Sequence, residues 1–419
     1  MKSRHSLQFW LWISASFGLG AASILVLIVL TYLGAVTGAV TFNSENRLAK
    51  RTIIPQAELT QRREQEMIEL LERKRRFTEK LVDRMYTRYL GNPNSTMDFL
   101  VISGGGENGA FGTGFLVGWS KVTDKARSMP LFDAVTGVSA GSLIAPFAYI
   151  GTRQSLETID QFFRNTTSDF VVLRKPIFFL PSNMSLARVP GLERAVGDAF
   201  NQKTAQQIVD KTSPGRLLLI QSTNLDLAFP AVFNFVAAAK ESIAENTTEP
   251  MTSIVLASSA IPGMFPPREM NGYLYVDGGV EGNFYYGGHP SRPANTFGGI
   301  WKRKHPDIPI PKTRYWVIIN GNLRESPKTS DTGWSSIAAR SLEVSVGSEQ
   351  VVSLRQLYAI AGLNELRRLG QVEVRWIAIN EPLEDGVFPK IFDNHEMRRL
   401  SDLGERLGRD PNSWNVVSP

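Results

Sequence analysis

The chain has 419 residues, of which 42% are hydrophobic and 21% charged, and its formal net charge is +6. This composition is typical of a folded globular protein of one large domain or two ordinary ones, and it excludes an intrinsically disordered chain. The sequence has no cysteine, which excludes disulfides, thiolate metal sites and cysteine nucleophiles. No dense basic stripe interleaved with aromatic residues occurs, so we expect no nucleic-acid partner.

The first predicted element is a long apolar segment near the amino terminus. No Asp, Glu, Lys or Arg occurs from Ser6 to Ser44, and Leu7 to Val36 exceeds the roughly 20 residues that a helix needs to cross a bilayer. A cleaved signal peptide would have a shorter apolar region of about 7–15 residues. Residues 1–36 are therefore predicted to be an uncleaved single-pass membrane anchor. The nearer charges, Lys2 and Arg4, favour a cytoplasmic amino terminus with the rest of the chain on the other side.

Residues 37–96 are predicted to form a linker followed by a charged amphipathic helix. From Gln56 to about Leu90 the sequence contains no Gly or Pro. Apolar residues recur there at spacings of three and four, the period of a helix with one buried face: Met67, Leu70, Leu71, Leu81, Met85 and Tyr89. The basic run Arg73 to Arg76 has two interpretations, contact with anionic headgroups or a solvated helix face packed on the next domain.

From residue 97 to about 410, apolar strand-like runs alternate with helical patterns. The strand-like runs are Met97–Ile102, Leu131–Gly137, Arg216–Leu225, Tyr273–Gly279, Arg314–Asn320 and Gln371–Asn380. Continuous apolar strands separated by helices predict an α/β fold with a mainly parallel, buried central sheet. Residues 411–419 are predicted to be a C-terminal tail.

The first strand-like run enters a loop in which half of the residues are glycine, SGGGENGAFGTG from Ser103 to Gly114. A glycine loop between a strand and a helix lets backbone N–H groups approach a negative group. That group could be a phosphate, a dinucleotide or the oxyanion of a reacting ester. Gly104 to Gly109 also matches the G-x-G-x-x-G pattern of dinucleotide-binding folds, which is a weak signal alone.

Two further motifs follow predicted strands. Gly137-Val138-Ser139-Ala140-Gly141 is a G-x-S-x-G sequence, in which Gly137 and Gly141 permit the sharp turn that exposes a nucleophilic serine. Asp277-Gly278-Gly279 comes at the end of a later strand, where catalytic groups of open α/β sheets gather. Ser139 and Asp277 are therefore candidate catalytic residues.

The order of the motifs separates the alternatives. A Rossmann unit needs an acidic residue at the exit of the second strand, but Asp133 lies inside that strand-like run. A P-loop needs Gly-Lys-Ser/Thr, and the loop continues with Gly-Ala-Phe. The chain contains four histidines, of which His5 precedes the apolar segment of the predicted anchor. A Ser-Asp-His triad is formally available through Ser139, Asp277 and one of the other three: His289, His305 and His395. A direct dyad, in which Asp277 is the general base for Ser139, needs fewer assumptions. An aspartate is a poor base at its ordinary pKa, so the dyad requires partial burial.

These motifs together resemble the patatin-like phospholipase family, from about Asp98 to at least Asn283 and more loosely to near Asp410. The resemblance includes the stretch ASSAIPGMFPPREMNGYLYVDGG, from Ala257 to Gly279. It implies a three-layer α/β/α domain that hydrolyses carboxylic esters of phospholipids or lysophospholipids without a metal or cofactor. The residues that the resemblance assigns are the nucleophile Ser139, the base Asp277 and an oxyanion loop of Gly104, Gly105 and Gly106.

The sequence departs from the family at two places. The glycine loop has Glu107 and Asn108 where a cation is common, and Asn283 is followed by Phe284 and Tyr285 where the family often has Asn-x-Pro. The departures leave a second hypothesis, a lipid-binding or scaffold protein on a catalytically impaired fold of this family. The sequence alone indicates no protein partner.

Overall fold

A computed structural model describes residues 54–174, 184–287, 293–324, 327, 329–330, 332–381, 383 and 392–419. The predicted anchor, Leu7 to Val36, lies outside these residues. Among the helices that are described, none is both long enough and apolar enough to span a bilayer.

The described residues form eleven α-helices and ten strands that alternate along much of the chain. The helices are α1 (Gln56–Gly91), α2 (Gly109–Trp119), α3 (Ala140–Ile150), α4 (Arg153–Arg164), α5 (Pro190–Ala199), α6 (Gln202–Asp210), α7 (Phe235–Ala244), α8 (Glu249–Ser258), α9 (Phe297–Lys304), α10 (Trp334–Leu366) and α11 (Asn394–Arg409). The strands are β1 (Met97–Ile102), β2 (Ala134–Val138), β3 (Val172–Leu173), β4 (Ala187–Arg188), β5 (Leu217–Asn224), β6 (Phe229–Asn234), β7 (Arg268–Met270), β8 (Tyr273–Val276), β9 (Thr313–Asn322) and β10 (Val372–Ile379).

Eight strands form one sheet in the order β10-β9-β1-β2-β5-β8-β7, with β6 paired to β5. The pairs among β10, β9, β1, β2 and β5 are all parallel. Strands β6, β7 and β8 are antiparallel to their neighbours. The prediction of an α/β fold with a mainly parallel central sheet is confirmed.

Helices cover both faces of this sheet because alternate residues of each buried strand point to opposite sides. Leu100 and Ile102 of β1 join the largest hydrophobic cluster, which includes α2, α3 and α11. Val101, between them, packs with Leu354 and Leu357 of α10 on the other face. The layers are therefore helices, sheet and helices.

Helix α1 confirms the predicted amphipathic helix and is packed on the sheet. Val82 and Met85 are buried in a cluster with Met97 and Trp301. Arg84 and Arg88 both bind Asp133, a buried carboxylate beside the amino-terminal end of β2, at 2.8 and 2.6 Å. The helix is therefore part of the same packed unit as the sheet.

The basic run in α1 faces partners within the protein. Arg75 and Arg76 are exposed and pair with Glu79 and Glu72 one turn away. Lys74 lies 5.7 Å from the ring centroid of Tyr285. These contacts favour the interpretation of a helix face packed on the domain, whereas headgroup binding stays a prediction.

The packed unit extends past the boundary at residue 410 that the sequence predicted. Trp414 contacts Trp119 and Trp316, with ring centroids 4.9 and 5.0 Å apart. Asn415 forms a bridge to Trp376 of β10. Residues 411–419 are therefore attached to the sheet. The sequence of this short segment did not predict that attachment.

Candidate active site

The pairing of β5 explains why Ser139 and Asp277 meet. Val138 of β2 pairs with Gln221, and Val276 of β8 pairs with Thr223, while β6 occupies the other side of β5 at both positions. Strands β2 and β8 therefore approach along the same side of β5 from opposite directions and stop two residues apart. The residue that follows each strand, Ser139 or Asp277, lies in the gap.

Ser139 occupies a strained turn between β2 and α3. Its φ of 51° and ψ of −123° are unfavourable for a residue with a side chain. A Cβ at Gly137 would lie 2.1 Å from the carbonyl oxygen of Gly141, and one at Gly141 would lie 2.4 Å from that of Ile102. The two glycines are therefore required for the turn to pack against β1, as the elbow prediction supposed.

The backbone of Ser139 is held on both sides by hydroxyl groups. Its N–H donates to Ser258 Oγ at 3.0 Å, and its carbonyl oxygen accepts from Ser142 Oγ at 2.6 Å and from Ser259 Oγ at 3.2 Å. These hydrogen bonds fix a backbone conformation that would otherwise relax.

Ser139 Oγ donates directly to Asp277 Oδ2 at 2.7 Å, and both residues are 6% exposed. The other carboxylate oxygen, Oδ1, accepts from the Gly279 N–H at 2.7 Å. Burial raises the pKa of Asp277 from 3.8 to about 6, although the hydrogen bonds from Ser139 and Gly279 oppose the shift. A carboxylate with that pKa is a much stronger base than an exposed aspartate.

Histidine does not stand between the two residues. Among the described residues, His305 stacks on Tyr86 at 3.8 Å and His395 lies in the first turn of α11, after its N-cap Asp393. His5 and His289 lie outside the described residues. The direct contact between Ser139 and Asp277 favours the dyad over a Ser-Asp-His triad.

The glycine loop lies beside the serine, and its three predicted donors are not equivalent. The Gly104 N–H already donates to the Asn283 carbonyl oxygen at 3.0 Å. A Cβ at Gly104 would come within 3.0 Å of Ser139 Cβ and 2.4 Å of Asn283 Oδ1. Gly104 thus provides clearance, and the assignment of its N–H as an oxyanion donor does not match this geometry.

Gly105 and Gly106 remain as donors. Both have positive φ, 156° and 56°, and a Cβ at Gly105 would lie 1.9 Å from the Asn320 carbonyl oxygen. Within the part of the chain that the structure describes, their N–H groups donate no hydrogen bond. Two unengaged backbone donors next to a buried serine are suited to bind an oxyanion.

The side chain of Glu107 is engaged away from the dyad. Its carboxylate accepts a hydrogen bond from the backbone N–H of Phe392, just before α11. Burial is the main reason that the pKa of Glu107 is raised, and the nearby acids Glu396 and Asp393 add to the shift. Glu107, which departs from the family pattern, therefore has a partner in Phe392.

A narrow cleft with about 20 Å³ of free space opens beside Ser139. Its lining is almost entirely apolar and comes from distant parts of the chain: Gly106, Ala140, Leu143, Phe162, Phe163, Phe170, Leu192, Ser259, Ile261, Phe265, Phe392 and Met397. Ligand sites mostly have apolar walls, and the lining of this cleft is of that kind. Its free space holds about one water, so a hydrocarbon chain would require the lining side chains to shift.

Sequence reasoning did not identify most of this lining. Ser259, Ile261 and Phe265 belong to the stretch that carried the family resemblance, but no role was assigned to them. Phe392 and Met397 gave no local signal, because single apolar residues before and within a charged helix also occur in ordinary cores.

The α/β sheet thus joins a strained serine, a buried aspartate and unengaged backbone donors in an arrangement suited to nucleophilic chemistry at Ser139. A protein-family model, described as patatin-like phospholipase, matches residues 100–286. These residues include the second half of β1, both glycine motifs, Ser139 and Asp277, so this part of the chain is similar to patatin-like phospholipases.

One solved structure to which the chain is similar is that of VipD from Legionella pneumophila. The similarity covers 77% of this chain and 68% of that chain, with 11% sequence identity and a TM-score of 0.34. No curated protein matches the chain.

Proposed function

We propose that this protein is a serine acyl hydrolase that cleaves carboxylic ester bonds of phospholipids or lysophospholipids. The observation that carries the proposal is the 2.7 Å hydrogen bond from Ser139 Oγ to Asp277 Oδ2 at the end of an apolar cleft. The similarity of residues 100–286 to patatin-like phospholipases supports the choice of a lipid ester as substrate.

In the first step, Asp277 takes the proton of Ser139 as Oγ attacks the ester carbonyl carbon. The carbonyl oxygen becomes an oxyanion, which the N–H groups of Gly105 and Gly106 stabilise by hydrogen bonds. The tetrahedral intermediate then expels the alcohol, which receives the proton from Asp277, and the acyl group stays on Ser139. Water releases the fatty acid by the same sequence, with Asp277 again as the base.

The surroundings of Ser139 support this chemistry. The serine precedes α3, whose N-terminal N–H groups favour negative charge that develops nearby. The cleft would receive the acyl chain, because its aromatic and aliphatic walls adjoin Ser139 and Gly106. Burial of hydrocarbon contributes roughly 0.8 kcal/mol per CH₂ group.

The decisive experiment treats the full-length chain in detergent with a fluorophosphonate probe and a nitrophenyl butyrate substrate. We expect the probe to label Ser139, as mapped by mass spectrometry. Ser139→Ala and Asp277→Asn should each reduce hydrolysis by at least about 10³-fold. Ser345→Ala, on the exposed side of α10, is the matched control and should leave the rate unchanged.

Two outcomes would reject the proposal. Labelling of a different serine, or full activity in Ser139→Ala, would show that the dyad is not the catalytic group. Complete absence of labelling and hydrolysis would favour the alternative of a lipid-binding or scaffold protein. The engagement of Glu107 with Phe392 weakens that alternative, because the acidic side chain no longer needs to face the reacting ester.

We further propose that Leu7 to Val36 anchors the protein in a membrane, with the hydrolase domain on the non-cytoplasmic side. The proposal rests on the uncharged stretch from Ser6 to Ser44. Membrane lipids would then be both the surroundings and the substrate. Resistance of the full-length chain to alkaline carbonate extraction measures the anchoring, and release into the supernatant would contradict it.

A further inference from the structure

Glu107 connects two parts of the candidate active site that are far apart in sequence. It follows Gly106 directly, in the short 3₁₀ turn Gly106–Asn108, and its carboxylate accepts from the N–H of Phe392, 285 residues later. Phe392 lines the cleft beside Ser139. One side chain thus joins the oxyanion loop to the cleft wall.

We propose that Glu107 is a positioning residue for acyl-chain selectivity, which holds the ring of Phe392 as a fixed wall of the cleft. The proposal rests on the proposed acyl hydrolase function. It gives a structural role to Glu107, which departs from the family pattern.

Phe392 requires such a hold because its backbone is in an unfavourable conformation. Its φ is 64°, in the left-handed region that side chains seldom occupy. A residue keeps this conformation only when its surroundings fix it. Glu107 accepts a hydrogen bond from its N–H, and Thr166 Oγ1 lies 3.3 Å from its carbonyl oxygen.

A second set of hydrogen bonds fixes the segment that follows. Asn394 Oδ1 accepts from the N–H and the Oγ1 of Thr166 at 2.9 and 2.6 Å, and Asn394 Nδ2 donates to the Thr166 carbonyl oxygen at 2.9 Å. Phe392 therefore lies between the Glu107 contact and the contacts of Asn394 with Thr166. The Glu107 contact is the one next to the glycine loop.

The ring of Phe392 is packed into the aromatic wall. Its centroid lies 5.1 Å from that of Phe170 and 6.3 Å from that of Phe265, both of which line the cleft. Because the acyl chain would contact this wall, the position of the ring should set which chain lengths are accepted.

The two acidic residues near Glu107 have other partners, whereas the Glu107 carboxylate binds the Phe392 N–H. Asp393 accepts from the His395 N–H as the cap of α11, and Glu396 pairs with Arg399 at 2.6 Å. Glu107 is left beside two other acids in a partly buried place, which costs stability. A neutral acceptor such as glutamine should perform the same task.

The test measures kcat/KM of the full-length chain for nitrophenyl esters from acetate to dodecanoate. We expect Glu107→Ala to leave the acetate value within about twofold, since so short a chain does not reach the wall, and to change the values for long chains by about tenfold. Glu107→Gln should resemble the wild type. Phe392→Gly, which removes the ring but suits the positive φ, should shift the preferred chain length upwards.

Glu157→Ala is the matched control, because Glu157 is exposed on α4 and has no part in the cleft. A uniform loss at all chain lengths in Glu107→Ala would indicate a general structural defect and overturn the proposal. An unchanged profile in both Glu107→Ala and Phe392→Gly would also overturn it.

Failure of the proposed function gives a different result. If the wild type hydrolyses no ester, displacement of a fluorescent fatty acid measures the same selectivity without turnover. Glu107→Ala and Phe392→Gly should then alter the preference among competing fatty acids. Equal preferences in all three proteins would overturn the proposal on Glu107 independently of catalysis.

Discussion

At the scale of single residues, the pKa of Asp277 couples activity to pH. Only the carboxylate form can accept the Ser139 proton, and burial raises its pKa from 3.8 to about 6. We expect kcat/KM for a neutral ester to increase with pH across an apparent pKa of about 6 and then to level off. A melting curve at each pH is the control, and a flat profile from about pH 5 to 8 would contradict the assignment of the base.

The raised pKa of Asp277 also lowers the stability of the fold at neutral pH. Because the folded state holds the Asp277 proton more tightly than the unfolded state does, its contribution to stability is fully present only below about pH 3.8 and is lost as the pH rises through about 6. Near neutral pH the protein therefore keeps a buried carboxylate whose ionisation destabilises the fold. This is typical of groups retained for chemistry.

The position of Ser139 and Asp277 at strand ends could be predicted from the sequence, because each follows an apolar run and has glycine within two residues. The partners of Glu107 and Gly104 could not, since both depend on contacts across the fold. The Glu107 contact spans 285 residues, and the Gly104 N–H is bound by Asn283. Hydrogen bonds of this kind follow from the packing of loops, for which local residue patterns carry no information.

At the scale of the elements, the turn between β2 and α3 depends on glycine. A Cβ at Gly137 would lie 2.1 Å from the Gly141 carbonyl oxygen, and backbone atoms cannot move aside as a side chain can. Gly137→Ala should therefore destabilise the protein by about 3 kcal/mol or more and lower its thermal midpoint.

The control for this substitution is Gly197→Ala in α5, where a Cβ would meet no atom within 4 Å. Alanine there should stabilise by about 0.5–1 kcal/mol, as in other helix interiors. Equal thermal midpoints for the two variants would show that the turn tolerates a side chain.

The parallel strands β1, β2 and β5 were predictable because both faces of each are almost fully buried, which gives mainly apolar runs. Strands β7 and β8 form a hairpin through Asn271 and Gly272, whose φ values of 52° and 78° are those of a tight two-residue turn. The Asn-Gly pair is a strong hairpin signal, although only the second strand of this hairpin was predicted. Strand β6, FPAVFN, is only half-buried, and the proline within it argues against a strand.

At the scale of the whole molecule, α1 is part of the fold and not only a spacer. A chain that begins at residue 92 would lose Val82 and Met85 from a buried cluster and leave the Asp133 carboxylate without Arg84 and Arg88. An uncompensated buried charge costs about 3–5 kcal/mol, so we expect this truncation to fail to fold cooperatively.

A chain that begins at residue 54 is the matched comparison, since it keeps α1 and lacks the predicted anchor. Its thermal midpoint and esterase rate should equal those of the full-length protein. Calorimetry of both truncations provides the measurement, and a cooperative transition in the shorter one would show that α1 is dispensable.

The arrival of Asp277 on an antiparallel strand has a consequence for biosynthesis. The aspartate follows the serine by 138 residues, and β8 docks only after β5 has been added to the sheet. Ribosomes add about 5–20 residues per second, so the base emerges roughly 7–28 s after the nucleophile. During that interval the nascent chain carries a serine without its base. On the proposed mechanism, a chain built in this order cannot activate Ser139 until its synthesis is well advanced.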